Sequence, residues 1–266
     1  MIAIGGARRS AGPMRVARGC LVLAALLAAS AGASSARAAE SQGAPDSLIG
    51  WWLDFPGLSR VAWPYAYIRA HPGDIVSTAD RGELLDELEA LRWRLDDANY
   101  TALHETVAAW HERVAQTTEV RVPGDFSPAW LMAHPASRPE VGHVEALGAC
   151  EVPDWIEIWD RAGIRRIPWQ GGLALSDLRH GEQAVDTGGA ARVSVVGLYG
   201  EVTEYGVQAW NFSDAELPPG ARIVAELPLD GQVVPWLRSA IANFLAHSKP
   251  GDDCREIVAE PAAGAN

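Results

Sequence analysis

The chain is short of basic charge. Its 22 Lys and Arg stand against 34 Asp and Glu, a formal net charge of −12 over 266 residues. Nucleic-acid binding depends on clustered Lys and Arg meeting phosphates, so this balance excludes nucleic acid as a partner. Long hydrophobic runs are also missing: the run at residues 21–29 is too short for a bilayer span of about 20 residues, which argues against an integral membrane protein. Cysteine is scarce at 3 residues, and only Cys150 and Cys254 lie beyond the first part of the chain.

Catalytic signatures are absent as well. There is no Gly-x-Ser-x-Gly elbow, no Walker loop and no His-Glu-x-x-His zinc pair. His104-Glu105 and His111-Glu112 come nearest to a metal motif, but seven positions on a helix separate the two His by roughly 10 Å, too far to share one ion unaided. The acidic pairs Asp96-Asp97 and Asp252-Asp253 fall in predicted turns or tails, where solvation explains them. Glycosidase chemistry needs two carboxyls at a set separation across a sugar, and no motif marks such a pair. No catalytic residue, metal or cofactor is expected.

Acidic residues are missing altogether before Glu40, whereas Arg8, Arg9, Arg15, Arg18 and Arg37 precede it. A basic head, the apolar run and the small residues ending Ala36-Arg37-Ala38 have the order of a secretory signal peptide, with cleavage predicted between Ala38 and Ala39. Met14 to Ala38 is a complete signal by itself, and Cys20 opens the apolar run instead of closing it, unlike a lipoprotein cysteine. Loss of residues 1–38 removes five Arg and no acid, so the mature chain has 17 basic residues against 34 acidic, or −17. That charge disfavours attraction to an acidic polymer and favours a protein partner or a neutral stretch of polymer.

In an exported chain Cys150 and Cys254 meet conditions in which disulfides persist. A bond between them would close a loop of about a hundred residues, for which chain entropy gives roughly 4 to 5 kcal/mol. Pairing and two free thiols are both open at this level, since pairing needs the two Cα atoms within reach.

What the chain does have is 48% hydrophobic residues and a globular composition, enough for one large or two small domains. Residues 49–75 are broken by Pro56-Gly57, Pro64 and Pro72-Gly73 and read as short strands or turns. From Leu84 to Val114 apolar residues recur at spacings of mostly three and four, predicting helix over 81–115. A single rod there would be roughly 50 Å long, and Asp96-Asp97-Ala98-Asn99 offers a break into a hairpin; the two are equally compatible with the pattern. Residues 141–149, 155–159, 191–198, 202–210 and 222–227 read as strands, with Tyr199-Gly200-Glu201 as a tight turn and a helical turn at 176–180 capped by Ser176. Val234, Leu237, Ile241, Phe244 and Leu245 form the stripe of a C-terminal helix ended by Lys249-Pro250-Gly251.

All 11 Trp lie beyond the predicted cleavage site, and most are explained as core. Trp51-Trp52 is the exception: neighbours in a strand face opposite sides, so one of them is expected outside the core. Asn211-Phe212-Ser213 fits the glycosylation sequon.

The second half carries a family likeness. Arg138-Pro139, the strand at 141–149, Ala191-Arg192-Val193-Ser194-Val195-Val196-Gly197-Leu198-Tyr199-Gly200-Glu201-Val202, then Gly206-Val207-Gln208-Ala209-Trp210-Asn211 and Pro219-Gly220-Ala221-Arg222-Ile223 resemble the GfcC family of capsule biosynthesis proteins. The resemblance covers roughly residues 60–248 and is strongest over 138–227. It implies an α+β fold of tandem β-grasp modules, like those of polysaccharide-export proteins, with a helical insertion and a C-terminal amphipathic helix. The implied organisation is a signal peptide at 1–38, a reduced first module with the helical insertion at 46–137, a second module at 138–230, a helix at 231–248 and a tail at 249–266. It further implies a periplasmic, non-catalytic accessory role in capsule or exopolysaccharide export, with export or assembly proteins, or the polysaccharide itself, as partners. Trp51, Trp52, Trp210 and Asn211 are the candidate binding residues. The competing reading is a secreted carbohydrate-active enzyme that uses acidic residues and exposed Trp.

N-terminal sequencing of the protein recovered from producing cells is expected to start at Ala39; a start at Met1 or Met14 would refute export by cleavage.

Overall fold

The computed structural model describes residues 47–71, 77–117, 120–229, 232–233 and 235–259. The predicted signal peptide and its cleavage site, Val234 of the predicted stripe, and residues 260–266 lie outside the described residues. The fold is mixed helix and sheet, an α+β arrangement.

Ser47 opens helix α1 (Leu48–Leu53), its Oγ accepting from the Gly50 N–H at 3.0 Å. The expectation of a strand here is corrected, and with it the exposure of Trp51 or Trp52, which are 5% and 0% exposed. Adjacent helical residues are about 100° apart, so both fit inside one wide buried arc. Trp52 packs at 5.1 Å from Phe55 and edge-on to Trp63 at 5.3 Å. Two 3₁₀ turns then lead into β1 (Ala66–Ala70).

Helices α2 (Ser77–Asp97) and α3 (Thr101–Gln116) make a hairpin, so the rod is excluded. The reversal falls where the sequence offered it: Asn99 takes a φ of 60°, a left-handed conformation that Asn tolerates better than most side chains. Leu84, Leu88, Leu91 and Leu95 of α2 pack in one cluster with Val107, Trp110 and Val114 of α3. A short α4 (Pro128–Ala133), capped by Ser127, follows.

The remaining elements are β2 (Val144–Cys150), β3 (Trp155–Asp160), β4 (Gly163–Pro168), β5 (Arg192–Val196), β6 (Val202–Gly206), β7 (Arg222–Ala225), the ribbon of β8 (Pro228–Leu229) and β9 (Gln232–Val233), helix α5 (Pro235–Ala246) and β10 (Cys254–Val258). A 3₁₀ turn at Leu175–Leu178 stands at the predicted helical turn, but its lead residue is Ala174, whose N–H donates to Asp177; Ser176 instead donates to Asp214. β4 and β10 were not expected as strands.

Two main sheets result. One runs β1-β2-β10, all antiparallel; the other runs β4-β3-β7-β5-β6, with β3 and β7 parallel at its centre and the other pairs antiparallel. The first sheet crosses the boundaries expected from sequence, since it joins strands from both predicted modules to residues 254–258 of the predicted tail. The described residues accordingly belong to one compact unit.

The inner strands β3, β7 and β5 of the five-stranded sheet are covered on both faces, as a parallel centre usually is, while the edge strand β6 is exposed. Trp159, Val196 and Val224 face α2, α3 and α5, with Trp110 and Trp159 at 5.6 Å. Ile158, Val195 and Ile223 face the loops that carry Leu175, Leu178 and Leu217. In α5 the residues Leu237, Ile241, Phe244 and Leu245 are buried.

A short connector joins the two sheets. Val122 N–H donates to Ile68 O at 2.9 Å, and Arg121 N–H to His247 O at 2.6 Å. The Arg121 guanidinium, 1% exposed, reaches Ala246 O at 3.2 Å and Leu198 O at 2.6 Å. Burial, reinforced by the charge of Arg222, pushes its pKa down to about 9, which still leaves it charged at neutral pH. The positive charge sits at the C-terminus of α5, where exposed carbonyls carry the negative end of the helix dipole. Beside it the β5–β6 turn needs Gly200: its φ is 82°, and a Cβ there would lie 2.8 Å from both Ala246 O and Pro123 Cβ.

Cys254 lies directly opposite Cys150 in the β2–β10 register, and the two form a disulfide across a sequence separation of 104. Loss of this bond, by reduction or by Cys254→Ser, is expected to lower the unfolding free energy by about 2–5 kcal/mol. Urea unfolding with and without reductant measures it; unchanged midpoints would mean that β10 is held by its ladder alone.

Candidate functional site

A carboxylate in the middle of a fully buried strand is costly unless it finds partners. Every residue of β3 is buried, yet its third position is Glu157, 2% exposed. The register supplies the partners: Arg166 of β4 and Arg222 of β7 stand opposite Glu157 on its two neighbouring strands. Arg166 Nε donates to Glu157 Oε2 at 2.9 Å, Trp159 Nε1 donates to Oε1 at 2.8 Å, and Arg222 Nε lies 3.9 Å from Oε1. From the helical layer, Arg113 in the last turn of α3 brings Nη2 to 3.5 Å from Oε2.

The arginines are held in turn. Arg166 forks onto both oxygens of Asp252 and lies 3.8 Å over the Trp155 ring. Arg222 donates to Lys249 O at 2.5 Å and to Leu245 O at 3.4 Å, which ties the end of α5 to the sheet. Lys249 Nζ is 2.8 Å from Glu256, which also accepts from the Tyr67 hydroxyl at 2.6 Å.

Burial works to raise the pKa of Glu157, but the Arg222 charge, the Trp159 N–H and the charges of Arg113 and Arg166 outweigh it and hold the carboxyl below its ordinary value. Burial opposes ionisation of Asp252 too, and the hydrogen bond and charge of Arg166 reverse the sign, so that group is also lowered. Arg222 is pushed down by burial and pulled back by Glu157. Both carboxyls are therefore ionised at neutral pH.

These groups line a cavity of about 210 Å³, together with the neutral side chains of Gln116, Thr117 and Ser248. Arg113, Arg166, Arg222 and Lys249 supply four positive charges to its wall, against two negative charges from Glu157 and Asp252. In so acidic a chain this is a local excess of positive charge in a concave site. A larger groove of about 570 Å³ runs between α2 and α5 over Leu84, Ala240 and Phe244, beside Trp236, but none of its lining side chains carries a buried charge.

None of the four candidate binding residues lines the charged cavity. Trp51 and Trp52 are core residues. Trp210 is 79% exposed on the turn after β6. The Asn211 amide is spent on that turn, accepting from Gln208 N–H at 3.0 Å and donating to Ala191 O at 2.9 Å. The missed residues left one trace in the sequence: a lone Glu inside Trp155-Ile156-Glu157-Ile158-Trp159, a run too apolar for a solvated acid.

No protein-family model matches the chain, and no curated protein matches it either. Among the described residues no helix is long and apolar enough to cross a membrane.

Glu157→Gln removes the shared counter-ion of three arginines and is expected to cost about 3–5 kcal/mol at neutral pH. In the native protein the lowered pKa of Glu157 means that the unfolded chain takes up this proton first, so stability falls as pH drops below about 4.5. The variant should lose part of that acid sensitivity, with Asp252 and Glu256 supplying the rest. Urea titrations from pH 3 to pH 7 check both effects; parallel acid limbs would remove Glu157 as the cause.

Proposed function

We propose that this is an exported, non-catalytic accessory protein of capsule or exopolysaccharide biosynthesis or export, built on β-grasp modules of the GfcC type and acting in the periplasm by binding polysaccharide or an export protein. The observation that carries the reading is the strand order β4-β3-β7-β5-β6. Its first and last strands in chain order, β3 and β7, lie parallel and adjacent, with β4 outside the first and the β5–β6 hairpin outside the last, an order that a β-grasp sheet also has. The β1-β2-β10 sheet fits a reduced partner module. Helix α5, with Leu237 and Ile241 buried and Trp236, Ser239 and Asn243 exposed, supports the amphipathic C-terminal helix.

The disulfide between Cys150 and Cys254 supports export, because such bonds persist in oxidising compartments. The ionisation of the cavity supports binding over catalysis. A glycosidase acid must hold its proton near neutral pH, and both Glu157 and Asp252 are shifted the other way.

Affinity electrophoresis in gels containing the producing cell's own exopolysaccharide is expected to retard the protein, or cross-linking in those cells to capture a polysaccharide-export protein, with no new reducing ends released. Release of reducing ends would establish the competing enzyme reading. Absence of both retardation and capture would defeat the accessory role.

A further inference from the structure

We infer that the cavity at Glu157 receives one anionic sugar residue, its carboxylate seated on Arg113. The inference rests on the polysaccharide reading and names the part of the polymer that is recognised.

The charges of the cavity divide into those that hold it and those that face a ligand. Arg166 is committed to Glu157 and to both oxygens of Asp252, and Arg222 to Glu157 and two backbone carbonyls. Arg113 is different. Its guanidinium carries five N–H donors, its side chain is 38% exposed at the cavity wall, and its one polar side-chain partner among the described residues is Glu157 at 3.5 Å. That leaves donors for an incoming oxyanion in the forked geometry that suits a carboxylate. Lys249 also lines the cavity, but its Nζ is held by Glu256 at 2.8 Å, which leaves Arg113 as the seat for the carboxylate.

Asp252 shows from within the chain that the site accepts such a group. Its carboxylate, on a side chain 56% exposed, already sits bidentate on the Arg166 fork. A ligand carboxylate arriving beside it meets the same guanidinium-rich wall and is repelled by Asp252 itself.

Size and polarity narrow the ligand. About 210 Å³ is below the 300–1,000 Å³ usual for small-molecule sites, so the cavity takes one sugar residue of a chain. Gln116, Thr117 and Ser248 provide neutral oxygen and amide groups for ring hydroxyls. The charge of −17 expected of the mature chain disfavours an acidic polymer at long range, but beyond about 8–10 Å salt screens that repulsion, and inside the cavity the local excess is positive. Recognition of an acidic sugar therefore strengthens as salt rises from very low to moderate ionic strength, then weakens as the Arg113 contact is screened.

The test titrates the mature full-length protein with oligogalacturonate and, separately, with maltooligosaccharides of equal length, following Trp159 indole and arginine Nε–H resonances. The acidic oligomer is expected to bind and shift both signals, the neutral one to leave them unmoved. Arg113→Gln should weaken binding about tenfold or more, the worth of a charge-assisted hydrogen bond, with circular dichroism used to confirm that the variant is folded, since it also removes one counter-ion of Glu157. Asp252→Asn should tighten it. Equal binding of both oligomers, or an unaltered affinity in Arg113→Gln, overturns the inference. Competition by inorganic phosphate as strong as that of the oligomer would reduce the site to a general anion site and overturn it as well. If the oligomer fails to bind while the native exopolysaccharide still retards the protein, this inference falls and the polysaccharide reading stands. If neither binds and no export protein is captured, both fall.

Discussion

The buried carboxylate of Glu157 is the constraint around which the other elements are placed. One side chain on β3, an inner strand of the larger sheet, fixes a neighbour on each side through Arg166 and Arg222, the end of the helical hairpin through Arg113, and the segment after α5 through the carbonyls that Arg222 and the carboxylate that Arg166 hold in turn. An ion pair of this kind is a weak source of stability, because removing charges from water costs several kcal/mol per ion. Its effect is on arrangement. Displacing any one of these four elements would leave a charge buried without its counter-ion, so the sheet, the hairpin and the C-terminal segment have one mutual position that satisfies all of them.

Arg121 does for the seam between the sheets what Glu157 does for the larger one, by a different route. Among the described residues no carboxylate is hydrogen-bonded to it; it is held by carbonyl oxygens at the end of α5 and in the β5–β6 turn. The helix terminus has carbonyls without intrahelical partners, and the guanidinium offers buried donors, of which Nε is satisfied at Ala246 O and Nη1 at Leu198 O. The two buried cationic systems meet at the end of α5, where Leu245 O is taken by Arg222 and Ala246 O by Arg121. The carbonyls that end this helix are thereby spoken for by side chains from two different parts of the chain.

Local pattern made much of this fold legible. Apolar spacing marked α2, α3 and the core strands, and the polar stretch around Asn99 marked where the hairpin turns. Most of the failures share a cause, a partner distant in sequence. Residues 254–258 have only Cys254, Ile257 and Val258 as apolar members and no buried position, so nothing local announces a strand until β2 is beside them. β4 carries Arg165 and Arg166 in mid-strand, which reads as loop, yet these are the side chains that Asp160 and Glu157 require. Trp51 and Trp52 were read with strand geometry, and the change to helical geometry moved both inside. The cavity was illegible for the same reason, since Arg113, Glu157, Arg166, Arg222 and Lys249 span well over a hundred positions. Only the lone acid of β3 hinted that charges must converge there.

The place of β10 has a kinetic consequence. β2 is the middle strand of the smaller sheet, and one of its two edges is filled only by residues 254–258, close to the end of the chain. A chain that emerges from its N-terminus can pair β1 with β2 early, but it cannot complete that sheet or close the disulfide until residues 254–258, about a hundred positions later, are available. Pairings this far apart in sequence are slow to form because a long loop must be closed before they are rewarded. The sheet begun near residue 66 is therefore completed late, by a strand joined to β2 across a separation of 104 positions, and a chain lacking residues 254–258 would lack that edge.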